Sequence, residues 1–148
     1  MLVLNSTAIK NIDMKKIKAI IEKGSDGLYA IYLPDVKGIY GTGETESEAK
    51  EALIEASDSA KEYVEETGEW GDYIVFKSDF EFDYRYDLSG FFKTYSFFDV
   101  SALAGRLGLN ASLLRRYKSG ISTAETKQKE KIEQGIHNIA NELISVKF

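Results

Sequence analysis

The sequence contains no cysteine, and only one proline, one histidine and one tryptophan among its 148 residues. Without cysteine the chain can form neither a disulfide nor a thiolate metal site, and it lacks a thiol nucleophile. The single histidine, His137, has no cysteine or second histidine with which to share a metal ion, and no serine–histidine–aspartate pattern surrounds it. We therefore expect no metal and no catalytic role for His137, which is assigned to a surface or partly packed position.

Long hydrophobic runs are also missing. No segment approaches the roughly 20 apolar residues that a membrane-spanning helix requires. The first residues, MLVLNSTAIKNID, lack the basic start and the long apolar stretch of a secretion signal. We therefore predict a cytoplasmic protein that does not associate with a membrane. Residues 1–13 precede the first strand-like run and are predicted to be an N-terminal extension, with Met14 as an alternative start.

Negative charge is concentrated in the first part of the chain. Residues 1–87 hold 10 Lys/Arg and 19 Asp/Glu, a net charge of −9, whereas residues 88–148 hold 9 Lys/Arg and 5 Asp/Glu, a net charge of +4; together they give the overall −5. Such asymmetry predicts two modules with different partners. We place the boundary so that residues 14–86 form the first module and residues 87–148 the second.

The first module begins with patterns typical of strands. KKIKAIIE (15–22) and LYAIYLPD (28–35) are short apolar runs separated by the turn residues GSDG, which predicts a β-hairpin. Pro34, the only proline, ends the second strand because it has no ladder donor. GIYGTGET (38–45) is predicted to be a third strand. FEFDYRY (80–86) alternates strictly and predicts a half-buried strand with Phe80, Phe82, Tyr84 and Tyr86 on one face.

Between the third and fourth strands the sequence predicts a helix. Thr45 and Glu48 form a capping box, in which each side chain satisfies a free backbone donor. Gly68 is a plausible stop. The apolar stripe expected to face the sheet is Ala49, Ala52, Leu53, Ala56, Ala60, Tyr63 and Val64. The predicted order is βββαβ, with the last strand returning beside the first.

The segment LYAIYLPDVKGIYGTGETESEAKEALIEASDSAKEYVEE (28–66) resembles the N-terminal domain of the HicB antitoxin family. That family has an aromatic-rich strand, Pro-Asp, a glycine, and then Gly-x-Thr-x-x-Glu-Ala at the start of an alanine-rich helix. The matching residues are Pro34, Asp35, Gly38, Gly43, Thr45, Glu48 and Ala49. The resemblance implies a partial ribonuclease H-like sandwich that binds a toxin and has no catalytic activity. Ile39 departs from it, because many members have cysteine there, but both are buried apolar groups.

Five carboxylates of the first module are candidates for a two-metal hydrolase site: Asp26, Asp35, Glu44, Glu46 and Glu48. Such chemistry needs several carboxylates that converge from the ends of strands and helices. None of the five lies in the middle of a predicted strand, where a rigid site is usually built. We therefore favour solvated surface charge, which can also attract a basic protein and steer its approach.

The second module begins with two short predicted helices. Asp87 or Ser89 can cap a helix through FFKTYSFF (91–98), and Asp99 can cap the next helix from Val100. Three residues of that helix share one face at helical spacing and are predicted to be buried: Leu103, Ala104 and Leu107.

A glycine turn and a third helix follow. Gly108 stands where a positive φ is needed, Leu109 is expected to turn back into the core, and Asn110 is a strong N-cap. The inward residues of the third helix and its stop are predicted to be Leu114, Tyr117 and Gly120. A helix, a glycine turn and a capped helix form the helix-turn-helix plan.

The string LAGRLGLNASLLRRYKSG (103–120) resembles the helix-turn-helix of phage-repressor-like proteins, a family that includes the C-terminal domain of one HicB class. The resemblance makes Asn110–Ser119 the recognition helix. Small residues at its start permit close groove entry, and arginine can bind guanine or phosphate. The predicted DNA-binding residues are Asn110, Ala111, Ser112, Arg115, Arg116, Lys118 and Ser119, the last two as phosphate contacts. The alternative is a three-helix interaction module in which Arg115 and Arg116 form an ordinary solvated face.

A final long helix is predicted to be capped by Ser122 or Thr123. Its apolar stripe consists of Ile132, Ile136, Ile139, Ala140 and Leu143, a pattern that most often indicates core or dimer packing.

The sequence thus predicts an α+β protein: an N-terminal βββαβ partial ribonuclease H-like sandwich followed by an all-α helix-turn-helix domain. The resemblance implies a non-enzymatic antitoxin without a cofactor, which binds a HicA-like mRNA-cleaving toxin and represses its own operon at operator DNA. A homodimer or a dimer of dimers is expected, because one recognition helix contacts too few bases. Two alternatives stay open: a stand-alone repressor whose N-terminal domain senses a ligand or oligomerises, and a ribonuclease H-like hydrolase.

Overall fold

A computed structural model describes residues 14–148, so the predicted extension over residues 1–13 lies outside the described part of the chain. The chain divides into two compact units between Asp87 and Leu88. Within residues 14–148, the first unit contains four strands, one long α-helix and one 3₁₀-helix, and the second contains four α-helices. The predicted α+β class is therefore confirmed.

The first unit is built on one mixed sheet. Its strands are β1 (Lys15–Lys23), β2 (Tyr29–Tyr32), β3 (Tyr40–Gly43) and β4 (Phe80–Tyr86). The order across the sheet is β3-β2-β1-β4. The pairs β1–β2 and β2–β3 are antiparallel, and β4 lies parallel to β1. The predicted β1–β2 hairpin and the predicted return of the last strand beside the first are confirmed. The strand β2 is shorter than predicted, because it ends at Tyr32, ahead of Pro34.

The long helix α1 (Glu46–Thr67) connects β3 to β4. The capping box of Thr45 and Glu48 is present, and Gly68 ends the helix in the left-handed conformation with φ 72°. The predicted apolar stripe is wrong at one residue: Tyr63 is exposed. It precedes the buried Val64 and so points about 100° away from it around the helix axis. Ser57 is buried on that face, and its Oγ donates to the Leu53 carbonyl at 2.8 Å.

The backbones of α1 and β3 lie in direct contact. A Cβ atom at Gly41 would overlap the backbone of Ala49 and Leu53, and one at Gly43 would come within 2.7 Å of the Ala49 nitrogen. Ala49 itself is completely buried. Glycine on the strand and alanine on the helix therefore set the distance between the helix and the sheet.

A 3₁₀-helix (Gly71–Phe76) joins α1 to β4 and was not predicted, because GDYIVF has neither strand alternation nor helical spacing. Phe76 is completely buried. Its ring begins a row of aromatic contacts, with centroids 5.3 Å apart for Phe76–Phe80, 5.3 Å for Phe80–Phe82 and 5.8 Å for Phe82–Tyr84. The aromatic residues of β4 are half-buried and pack against the core of the first unit, as the alternation predicted.

The second unit consists of α2 (Leu88–Thr94), α3 (Val100–Leu107), α4 (Ala111–Ser119) and α5 (Thr126–Ile144). The first of these starts at Leu88, in agreement with the prediction in which Asp87 precedes it as the cap. It ends at Thr94, earlier than predicted, and a turn follows in which the Phe98 nitrogen donates to the Tyr95 carbonyl at 3.3 Å. The core contains Phe92, Val100, Leu103, Ala104, Leu107, Leu114, Tyr117, Ala124 and Ile132. It includes every α3 and α4 residue that was predicted to face inward, and Leu109 packs against it.

The start of α5 differs from the prediction. The backbone nitrogens of Ile121 and Ser122 both donate to the Arg116 carbonyl, at 3.1 and 3.3 Å, so this segment completes α4 rather than capping α5. The helix begins after Glu125, whose side chain makes no capping bond. The predicted stripe is only partly correct: Ile132 is buried, Ile136 and Ile139 are half-buried, and Ala140 and Leu143 are exposed. Over residues 14–148, no helix combines the length and the apolar character needed to cross a membrane.

Gly41→Ala should destabilise the first unit by about 3 kcal/mol, because the added methyl meets backbone atoms that cannot rotate away. Urea denaturation followed by the fluorescence of Trp70, the only tryptophan, reports on this unit alone. Thr42→Ala is the control on the same strand, since its side chain is exposed, and we expect a change within about 0.5 kcal/mol. Equal stability of the two variants would show that α1 does not lie this close to β3.

Candidate functional site

The turn between α3 and α4 is held by contacts on both sides. Gly108 adopts φ 65°, and the Leu109 nitrogen donates to the Ala104 carbonyl at 2.9 Å. The Asn110 side chain accepts from the Leu113 nitrogen at 3.2 Å, which confirms the predicted N-cap. From α5, Lys131 Nζ donates to the Gly108 carbonyl at 3.3 Å. These contacts determine the direction in which α4 leaves α3.

One face of α4 is buried and the other is polar. Leu114 and Tyr117 are buried in the core of the second unit. Five of the seven predicted DNA-binding residues lie on exposed helix positions: Ser112, Arg115, Arg116, Lys118 and Ser119. Asn110 is exposed at the cap. Ala111 was predicted to face outward, but it is half-buried and packs against the core, since it lies about 60° from Leu114 around the helix axis.

The cations of α4 differ in their partners. Arg115 donates to two serine hydroxyls, Ser101 and Ser112, at 2.7 and 3.1 Å. The side chains of Arg116 and Lys118 make no hydrogen bond or ion pair with any residue of the described range 14–148. The Ser119 hydroxyl donates to the Arg116 carbonyl at 3.1 Å. With no acidic residue on α4, this face can bind an anion such as phosphate, or acceptors on a base edge.

The residues behind the family resemblance of the first module shape its backbone. The Thr45 hydroxyl accepts from the Glu48 nitrogen at 3.2 Å, and the Glu48 carboxylate accepts from the nitrogens of Glu44 and Thr45 at 2.8 and 3.3 Å. Beside this cap lie Gly43 and Ala49, where α1 meets β3. The other three, Pro34, Asp35 and Gly38, are exposed in the connection from β2 to β3, where Gly38 has φ 83°.

The exposed face of α1 is acidic along its length. We define the acidic ridge as Glu51, Glu55, Asp58, Glu62, Glu65 and Glu66, all of them exposed. None of the six forms an ion pair within residues 14–148. Neighbours three or four residues apart on a helix lie about 5–6 Å from each other, and like charges there are destabilising. The signal for this surface was present in the sequence, in the recurrence of acidic residues at helical spacing.

Both carboxylate oxygens of Glu46, at the start of α1, instead have partners. Lys50 Nζ lies 2.6 Å from one carboxylate oxygen, and the Tyr86 hydroxyl donates to the other. The Lys50 ammonium also lies 4.6 Å from the centroid of the Tyr84 ring. Burial acts to raise the pKa of Glu46, but the hydrogen bonds from Lys50 and Tyr86 and the lysine charge outweigh it, so the pKa is lowered.

The carboxylates that were weighed as metal ligands do not converge. Asp26 accepts from the Leu28 nitrogen at 3.0 Å, and Glu46 and Glu48 have the contacts given above. Between residues 14 and 148, no group of three or more acidic or histidine side chains is arranged to hold a metal ion.

Comparison of the chain with protein-family models, with curated proteins and with solved structures gives no match in any of the three. The family resemblance therefore depends on the quoted residues alone. The structure adds three local features to these residues: a basic face on α4, an acidic ridge on α1, and a capped junction between β3 and α1.

Tyr86→Phe should destabilise the first unit by about 1 kcal/mol at pH 7, because it removes a hydrogen bond to the charged Glu46. Since the pKa of Glu46 is lowered in the folded protein, this stabilisation is fully present above the unfolded value of about 4.3 and is lost as the pH falls through the folded value. The measurement is urea denaturation of both proteins from pH 7 to pH 3.

The matched control for this series is Tyr40→Phe, since the Tyr40 ring is 62% exposed. It should leave the unfolding free energy unchanged at every pH. A difference between the wild type and Tyr86→Phe that stays constant down to pH 3 would contradict the assignment of the effect to the Glu46 carboxylate.

Proposed function

We propose that the protein is a HicB-type antitoxin: its first unit binds and neutralises a HicA-like toxin, and its second unit binds operator DNA through a helix-turn-helix. The observation that supports this most directly is the division of charge between the two units, −9 over residues 1–87 and +4 over residues 88–148. A nucleic acid and a small basic ribonuclease are partners of opposite charge, and each would meet the complementary unit.

DNA binding is assigned to α4. Small side chains at the start of a helix permit its close entry into the major groove, and arginine donors along it can reach base edges or phosphates. Ser112 stands in the first turn of α4, and Arg116 follows one turn later on the same face. Because the side chains of Arg116 and Lys118 have no partner in the described part of the chain, neither must give up an ion pair to bind DNA. Lys118 is assigned to phosphate, and Arg116 to a base edge.

A homodimer or a dimer of dimers is part of the proposal. One recognition helix reads few base pairs, and two helices related by a two-fold axis read two half-sites. The end of the chain offers apolar surface for such an association, since four large residues in the last six positions are exposed: Leu143, Ile144, Val146 and Phe148. Burying such residues against a second copy would remove apolar surface from water.

Toxin binding is assigned to the first unit. The acidic ridge can attract a basic ribonuclease and accelerate its approach. Exposed Ile54 and Tyr63 lie on the same helix and offer apolar contact area once the partner has docked. The bound antitoxin would then block access of mRNA to the toxin by steric hindrance, which needs no catalytic group on the antitoxin.

Arg116→Ala should weaken binding to the DNA upstream of the protein's own gene by about 1–3 kcal/mol and relax the preference at one base pair in each half-site. Lys118→Ala should weaken binding to all sequences alike and reduce the slope of log affinity against log salt by about one. Affinities for the upstream fragment and for a scrambled fragment, measured across a salt series, separate the two effects.

Lys147→Ala is the control for this series, since it removes one positive charge outside α4. It should leave the sequence preference unchanged, and it should lower the affinity only by the small electrostatic effect of one charge outside α4. If Arg116→Ala binds the upstream fragment as tightly as the wild type, α4 is not the recognition helix.

Glu55→Gln combined with Glu62→Gln should lower the association rate constant for the HicA-like toxin several-fold at low salt, because two charges of the acidic ridge are lost. The difference should shrink as added salt screens the charges. Stopped-flow association at several salt concentrations measures it. Glu22→Gln combined with Glu81→Gln removes the same charge from the sheet, and an equal slowing there would show that net charge, not the ridge, steers the toxin.

A further inference from the structure

Arg115 bridges two helices through neutral partners. Its Nη1 donates to the Ser101 hydroxyl on α3 at 2.7 Å, and its Nη2 donates to the Ser112 hydroxyl on α4 at 3.1 Å. The backbone of Ser101 is itself anchored, because its nitrogen donates to the Asp99 carboxylate at 3.0 Å. The guanidinium is thus held between a capped helix start and the preceding turn of its own helix.

The partners leave the charge of Arg115 intact. A guanidinium has five N–H donors, of which two are used here, so three remain for a ligand. Arg106 on α3 shows the contrast: its Nη2 contacts both oxygens of the Glu142 carboxylate, at 2.7 and 2.8 Å, so its charge is compensated within the protein. Among the arginines of the second unit, Arg115 alone is held by hydrogen bonds and has no acidic partner within residues 14–148.

Restraint of an exposed arginine has a consequence for binding. Ordering a long side chain at an interface costs about 0.5–1.5 kcal/mol, and a side chain that is already ordered avoids that cost. The planar fork of arginine also matches the two acceptors of a guanine edge, provided that the plane is correctly oriented. Ser101 and Ser112 supply such an orientation from two directions.

We propose that Ser101 is a positioning residue for sequence recognition: together with Ser112 it holds Arg115 in the orientation in which the guanidinium binds a guanine edge in the major groove. This inference rests on the proposed DNA-binding function of α4. Ser101 itself touches no base, and its effect on DNA passes through Arg115.

The test uses the full chain and four variants: Ser101→Ala, Ser101→Thr, Arg115→Ala and the double variant Ser101→Ala/Arg115→Ala. Affinities for the upstream fragment and for scrambled DNA are measured across a salt series. Ser101→Ala should weaken binding to the upstream fragment about three- to tenfold, as expected from the lost preorganisation, and leave binding to scrambled DNA and the salt slope unchanged. Ser101→Thr, which keeps the hydroxyl, should restore wild-type affinity.

Coupling between the two residues decides the mechanism. In the Arg115→Ala background, Ser101→Ala should have no further effect, because the side chain that it positions is gone. Equal losses in both backgrounds would mean that Ser101 acts by itself, and tighter binding by Ser101→Ala would mean that the serines withdraw Arg115 from DNA; either result overturns the proposal. Parallel loss on scrambled DNA with a flatter salt slope would make Arg115 a phosphate contact, which also overturns it.

Failure of the proposed function would look different. If the wild type binds upstream and scrambled DNA equally, the assignment of α4 to operator recognition fails, and this inference fails with it. If the wild type is selective and Ser101→Ala is equally selective, only the role of Ser101 is wrong. Thermal unfolding of Ser101→Ala should stay close to that of the wild type, because the Asp99 cap bonds the backbone of residue 101 and the lost bond to Arg115 joins two exposed side chains.

Discussion

The direct contact of the α1 backbone with β3 is the constraint on which the first unit depends. Gly41 and Gly43 on the strand and Ala49 on the helix leave no room for a larger side chain at the contact. The helix therefore lies flat on the sheet along one narrow face, and the capping box at Thr45 starts it at the edge of the contact. Because the contact fixes which face of α1 is buried, it also fixes which face is exposed to solvent. The six carboxylates of the acidic ridge lie on that exposed face.

The second unit depends on helix ends rather than on close backbone contact. Its helices α2, α3 and α4 are 7, 8 and 9 residues long. Isolated helices shorter than about 12–15 residues are marginal in water. The Asp99 and Asn110 caps and the left-handed stops at Gly108 and Gly120 satisfy backbone groups that such short helices would otherwise leave free. The position of α4, and therefore the side of the helix on which Arg115 and Arg116 lie, thus follows from caps that are visible in the sequence.

This difference explains which features were predictable. Caps and glycine stops are local signals, so Thr45, Asp99 and Asn110 were assigned correctly, and so was the alternation of β4. The 3₁₀-helix around Phe76 was missed because its burial comes from tertiary contacts with the aromatic face of β4. The start of α5 was misplaced at Ser122, since a good capping residue says nothing about a preceding helix that still uses the nearby backbone donors.

The residues of the candidate site also divide into those that have a local sequence signal and those that have none. The polar positions of α4 followed from helical spacing, except that Ala111, the first residue of the helix, packs against the core. The role of Ser101 had no sequence signal, because it lies 14 residues before Arg115 and meets it only through the packing of α3 on α4. A long-range hydrogen bond between two exposed side chains follows no periodicity and no spacing rule, so it is visible only in the folded structure.

The charges of the two units differ in whether they stabilise the helices that carry them. Arg116 and Lys118 lie in the last turn of α4, where the helix dipole favours each cation by about 0.3–1 kcal/mol, so these two charges also stabilise the helix that carries them. Glu65 and Glu66 lie in the last turn of α1. That turn has no basic residue, and the helix dipole disfavours negative charge there. The acidic ridge is thus unfavourable to the helix that bears it, and a basic partner would remove that penalty by covering it. In the second unit the comparable feature is Arg115: between residues 14 and 148 no acidic side chain pairs with it, and two serine hydroxyls hold its guanidinium. A bound anion would compensate the charge that these neutral partners leave.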